Sequence, residues 1–219
     1  PLAVDLGGDD AAHDVVAGYT TPVPRGAYRA RGDRLDVRAG GIDVRILPDG
    51  VLPTARLARA STRAVTELTL HLEAAQSPRP WVRLEIRTLY APGVDPAAPL
   101  ADADHGRGST RQDQAGGRVT PASASIGFHE SQHSLDSLEY LATHPPPPAS
   151  IQIPAGRLTE RTYRLRQLIR AWHVYLTGMN TQSVLRVDCG GPAAPTAVPS
   201  GAEGDIVMLA CPATAGSAP

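Results

Sequence analysis

The chain has 219 residues, a mass of 23.0 kDa and a formal net charge of -1 at pH 7. That length suits one domain with a single core, and so balanced a charge leaves no strongly basic footprint for nucleic acid. No apolar run approaches the ~20 residues of a membrane-spanning helix, and the N-terminus lacks the basic, apolar and small-residue regions of a signal peptide, so the expected partners are proteins or peptides.

Residues 1–27 are rich in Ala, Gly, Asp and Pro, including Pro22-Val23-Pro24, without a sustained period, and read as a linker or a packed extended arm. The chain begins with Pro1, not Met. The expectation is a domain at 28–212 with a soft tail at 213–219, cut from a larger polypeptide that is secreted or delivered by a bacterial secretion system. Next, Arg34 to Arg38 and Ile42 to Ile46 alternate apolar and charged residues around Ala39-Gly40-Gly41, which predicts a hairpin with one wet face. Residues 54–64 suit helix or coil. Thr66 to Glu73 then places Leu68, Leu70 and Leu72 on one face, and Trp81 to Tyr90 does the same with Val82, Leu84 and Ile86. Four such strands predict an antiparallel or mixed sheet with charged residues outward. His71 falls on the polar face of its strand.

Residues 91–124 carry many Gly, Asp, Pro, Arg and Ser and no period, so a long loop is expected, rimming whatever site the next segment builds. Within it, Gly106-Arg107-Gly108-Ser109 lacks the Gly-Lys-Ser/Thr ending of a phosphate loop. That next segment, Phe128 to Leu141, contains His129-Glu130-Ser131-Gln132-His133, followed by Leu135, Leu138 and Leu141 at helical spacing and uninterrupted by Pro or Gly up to His144. Residues four apart lie on one face of a helix, so the two histidines can offer ring nitrogens to one metal ion. Pro145 to Pro148 ends this helix. A second starts near Thr159, carries the stripe Leu165, Leu168, Ile169, Trp172 and Leu176, and is expected to stop at Gly178. Two short apolar strands, Val184 to Val187 and Ile206 to Ala210, should follow, each leading to a cysteine, Cys189 and Cys211, that is either half of a disulfide or a buried thiol.

His129-Glu130-x-x-His133 on a helix resembles the active-site helix of the zincin metallopeptidases. The resemblance implies a zinc metalloendopeptidase in which His129 and His133 bind Zn2+ and Glu130 takes a proton from the attacking water and passes it to the leaving amine. The fold class expected is α+β, with the sheet first, then this helix, then a second long helix.

A catalytic zinc needs a third protein ligand. Four residues compete. Asp136 shares the face but lies about 10 Å from His129 along the axis at ~1.5 Å per residue. Glu139 sits where metzincins place a third ligand, without their glycine turn. His144 stands at the helix exit, where a histidine also suits the helix dipole. Glu160, at the start of the second helix, resembles the gluzincin arrangement as in thermolysin and is ranked first, although Arg164 stands where gluzincins carry an acidic residue and suggests a plain surface pair. Tyr163, one turn on, is the expected oxyanion donor, ahead of His173 and Tyr175. The alternatives are a β-rich interaction or delivery module with no metal and an exposed His129 face, or a degenerate zincin that binds zinc without cutting.

Overall fold

The computed structural model describes residues 13–53, 63–99, 125–153 and 158–188, together with the short pair 196–197 and 209–210. The fold is α+β. The strands are β1 (His13–Asp14), β2 (Val23–Pro24), β3 (Tyr28–Arg31), β4 (Arg34–Ala39), β5 (Ile42–Ile46), β6 (Gly50–Val51), β7 (Ala64–Glu73) and β8 (Trp81–Tyr90). The helices α1 (Ile126–Thr143) and α2 (Leu158–Val187) follow, then the two-residue strands β9 (Thr196–Ala197) and β10 (Leu209–Ala210), which pair with each other.

The hairpin expected around Gly40-Gly41 is β4 and β5, in register from Leu35 opposite Ile46 to Ala39 opposite Ile42. The two long alternating runs are β7 and β8, antiparallel along ten pairs from Ala64 opposite Tyr90 to Glu73 opposite Trp81. The sheet is mixed, because β5 and β6 both lie parallel to β8. With β7 filling one side of β8 along its whole length, β5 and β6 must share the other, and among the described residues β3 and β7 bound the sheet. Alternation does the rest: Leu35, Val37, Val44, Ile46, Leu84 and Ile86 point to one face and are buried with Leu138 and Leu141 of α1 and Leu168, Trp172 and Met179 of α2. The arm also joins the core from residue 13 onward, since Val23 is fully buried and Thr20 bonds both Asp49 and the Tyr90 hydroxyl.

α1 is set in place at both ends. The Ser125 side chain caps it by accepting from the Phe128 N–H at 3.1 Å. At its other end, Gly40 has φ +57° and lies so close to the Leu141 carbonyl that a Cβ there would collide with it. Gly40→Ala therefore combines a left-handed backbone with a clash against helix backbone. We expect it to lower stability by at least ~1–3 kcal/mol in a guanidinium unfolding titration.

The sequence places the end of α2 at Gly178, and there the structure differs. The helix runs on to Val187. Gly178 stands where a Cβ would lie 3.0 Å from the Tyr140 hydroxyl of α1, so it permits close approach of two helices. Met179, Ser183 and Val187 then continue the buried stripe, and Val184 to Val187 is the last turn of a helix in place of the expected strand. The N-terminal end of α2 is moored to the turn between β7 and β8, where Arg161 donates to the carbonyls of Ala75 and Ser77. The segments 1–12, 54–62, 100–124, both cysteines and the 213–219 tail lie outside the described residues.

Candidate metal centre

α1 lies between the sheet and the C-terminal half of α2, so its polar motif is interior. His129 is 1% exposed and Glu130 4%. The helical spacing of the histidines turns both rings the same way, with centroids 5.0 Å apart and planes at 81°. They face the residue immediately after α2. His129 Nε2 is 3.2 Å from Asp188 Oδ1, and His133 Nε2 is 3.1 Å from the same oxygen. One ligand atom from each of the three residues lies within 4.8 Å of the others. His133 Nδ1 is 2.9 Å from the buried Ser183 hydroxyl, one turn before Asp188 on α2. With Ser183 accepting from Nδ1–H, His133 Nε2 donates to Asp188 while the ring is protonated and, once that proton is lost, presents its lone pair to the centre of the group.

Electrostatics bind this group tightly. Burial would raise the Asp188 carboxyl, but hydrogen bonds from His129 and His133, and the charge on their rings, outweigh it and hold the carboxyl well below the usual carboxylate range. Burial would lower His133; the hydrogen bond and charge of Asp188, then the charges of Glu130 and Asp136, raise it above its ordinary value. In metal-free protein, the His133 contribution to stability is full below an unfolded pKa near 6.5 and is lost as pH rises through the folded value. Asp188 behaves oppositely: its contribution is present above about 3.8 and disappears as acid titrates it through its folded value. We therefore expect the metal-free pair to stabilise most between roughly pH 4 and 6.5. Divalent metal, which competes with the proton on His133, should bind more tightly as pH rises from about 5.5 to 7.5. Unfolding in chelator and metal titration over one pH series check the two opposite slopes.

Glu130 points the other way, toward the edge strand β7. The Thr66 hydroxyl lies 2.8 Å from Glu130 Oε2 and 3.1 Å from the Glu130 carbonyl, and its donor is shared between them. Thr88 of β8 is 3.3 Å from Thr66 Oγ1 on the other side. The carboxylate of Glu130 is thus fixed by the sheet while its charge still reaches His133.

The residues ranked as third ligands do not join the histidines. Glu160 is at the opposite end of α2, roughly 40 Å from Asp188 along an axis rising ~1.5 Å per residue. Its carboxylate is held by Arg164 at 2.8 and 3.0 Å in an i,i+4 pair. Tyr163 is beside it and 63% exposed, far from the motif. Asp136 is buried and Glu139 is at the surface, and both approach Arg186 at 3.4 Å. His144 caps α1 and stacks on Tyr140 with centroids 4.0 Å apart. His173 is exposed, and the Tyr175 hydroxyl donates to the His144 carbonyl.

Two imidazoles and one ionised carboxylate make a donor set suited to a borderline divalent cation, with coordination positions left over. The group could hold a metal ion. Asp188 was missed because the helix that delivers it was expected to end ten residues earlier, at Gly178. The signal was present: Leu168, Trp172, Met179, Ser183 and Val187 continue one helical stripe across that glycine. Comparison with known proteins found no matching family model, no matching curated protein and no matching solved structure.

Proposed function

We propose that the protein is a zinc-dependent peptidase, with His129, His133 and Asp188 as metal ligands and Glu130 as general base. The observation that supports this most is the convergence of His129 Nε2 and His133 Nε2 on Asp188 Oδ1, at 3.2 and 3.1 Å, with a buried glutamate next in sequence to the first histidine. The chemistry that zinc supplies when bound in such a set is Lewis-acid polarisation of a carbonyl and acidification of water.

This chain's own residues have distinct tasks. Asp188 and Ser183 hold the His133 ring in one orientation. Thr66 orients the Glu130 carboxylate, which accepts a proton from water and returns it to the leaving amine. Among the described residues the far edge of β7 is unpaired, and an extended substrate can add to it as a strand. Side chains of His133 and Asp188 are 18% and 23% exposed, so the substrate meets the group from their side.

The interaction-module reading predicts an exposed His129 face, and His129 is buried. Metal content of protein purified without added zinc, beside cleavage of an unfolded protein substrate with and without chelator, tests the proposal. About one zinc per chain with chelator-sensitive cleavage supports it. Tight zinc without cleavage assigns the group to a binding role, and no tight metal even after zinc is supplied removes the mechanism.

A further inference from the structure

The outer face of the sheet, turned away from the helices and the histidines, holds an unbalanced set of charges. Register places Arg29 opposite Asp36, Arg31 opposite Arg34, Asp36 opposite Arg45 and Arg38 opposite Asp43, all between the buried rows of Leu35, Val37, Val44 and Ile46. Five arginines therefore face two aspartates on β3, β4 and β5, and on β8 the Glu85 opposite Arg45 is shared with Arg83 at 4.0 Å and His71 at 3.6 Å. Asp36 is shared by three guanidinium groups, with Arg31 and Arg34 each at 3.4 Å and Arg45 at 3.8 Å. Asp43 is reached by Arg38 alone among the described residues, at 3.7 Å. Arg34 and Arg45 are half-buried, and the Nε of each, shielded from solvent, faces Asp36 Oδ1 at 3.4 and 3.8 Å without hydrogen-bond geometry.

One carboxylate has too few lone pairs for three guanidinium groups, so donors of Arg31, Arg34 and Arg45 are left over. These arginines line a concavity of about 610 Å³ that reaches Trp81. A guanidinium fork matches a carboxylate in two parallel hydrogen bonds, so anionic ligands complete the set. The strand next to it selects the kind of anion. Among the described residues β3 is the outermost strand on this side, and its unpaired edge offers a row of backbone donors and acceptors that an extended polypeptide can pair with in register. Arg29 and Arg31 on that edge repel the same edge of a second copy and attract carboxylates.

We infer that the outer face of β3, β4 and β5 is a docking site for an extended acidic polypeptide segment, paired along β3 with its carboxylates on Arg34, Arg45 and their neighbours. The site is on the opposite face from His129 and needs no metal, so it stands apart from the peptidase reading.

The test uses the whole chain in chelator, with a labelled peptide alternating Glu and Thr, a Lys-Thr peptide of equal length and a single-stranded oligonucleotide of equal charge. The acidic peptide should bind saturably, change Trp81 fluorescence and protect the backbone amides of Tyr28 to Arg31 from exchange. Arg34→Gln with Arg45→Gln should weaken it on the order of tenfold or more. The pair Arg166→Gln with Arg170→Gln, which removes the same charge from the exposed side of α2, should leave the affinity unchanged. Absence of saturable binding overturns the inference, as does an equal loss in the α2 control, which would reduce it to net charge. Tighter binding of the oligonucleotide also overturns it and assigns the face to nucleic acid.

Discussion

Asp188→Asn will weaken divalent metal binding by about 100-fold or more, whereas Glu160→Gln will leave it unchanged. Removing a group that only orients a metal ligand typically costs about 10–100-fold in affinity, so loss of a direct ligand should exceed that range. Asparagine keeps the shape of Asp188 but removes the charge on which both histidine rings converge at 3.2 and 3.1 Å. His133 then loses the hydrogen bond and charge of Asp188 that oppose its burial, so its pKa falls. That change has a signature apart from affinity. Fewer protons compete for His133 in the variant, so its metal binding should depend less on pH than that of the wild type. Glu160 is the contrasting control, because its carboxylate is occupied by Arg164 at the far end of α2. Competition against a chromophoric chelator at several pH values measures both effects. Equal affinity in wild type and Asp188→Asn would remove Asp188 from the ligand set.

The sheet and α1 were legible because their information is local. Alternation in Leu68, Leu70 and Leu72, or in Val82, Leu84 and Ile86, needs only one strand and one buried face to be read. The parallel placement of β5 and β6 on β8 was not legible, since it depends on the path of the chain between them. The histidines share a face for the same local reason. Their carboxylate partner does not: Asp188 is brought from 55 residues away by the full length of α2. Reading Gly178 as a stop hid it. A glycine in a helix is weighed against its propensity, and here the contact with Tyr140 outweighs propensity, because a larger residue would push α2 away from α1. The expectation of Glu160 followed from the gluzincin resemblance, whereas in the structure its carboxylate is held by Arg164 at the start of α2.

Glu130→Gln should abolish most peptide cleavage, by about 10²–10⁴-fold in kcat, while metal content and the fold stay as in the wild type. The separation of these effects follows from what Glu130 touches. Its Oε2 accepts from Thr66, and a glutamine carbonyl in the same place can accept that hydrogen bond. The side chain has nearly the same volume, so the packing of α1 against β7 is kept. What glutamine cannot do is take a proton from water. His129, His133 and Asp188 keep their side chains and mutual contacts, so zinc should remain bound at the same stoichiometry. Initial rates with an internally quenched peptide, paired with metal analysis and unfolding midpoints on the same preparations, separate the outcomes. Loss of cleavage with zinc and stability retained places Glu130 in the reaction. Loss of all three would make it a structural anchor for the sheet through Thr66, and cleavage unchanged in Glu130→Gln would exclude it as the base.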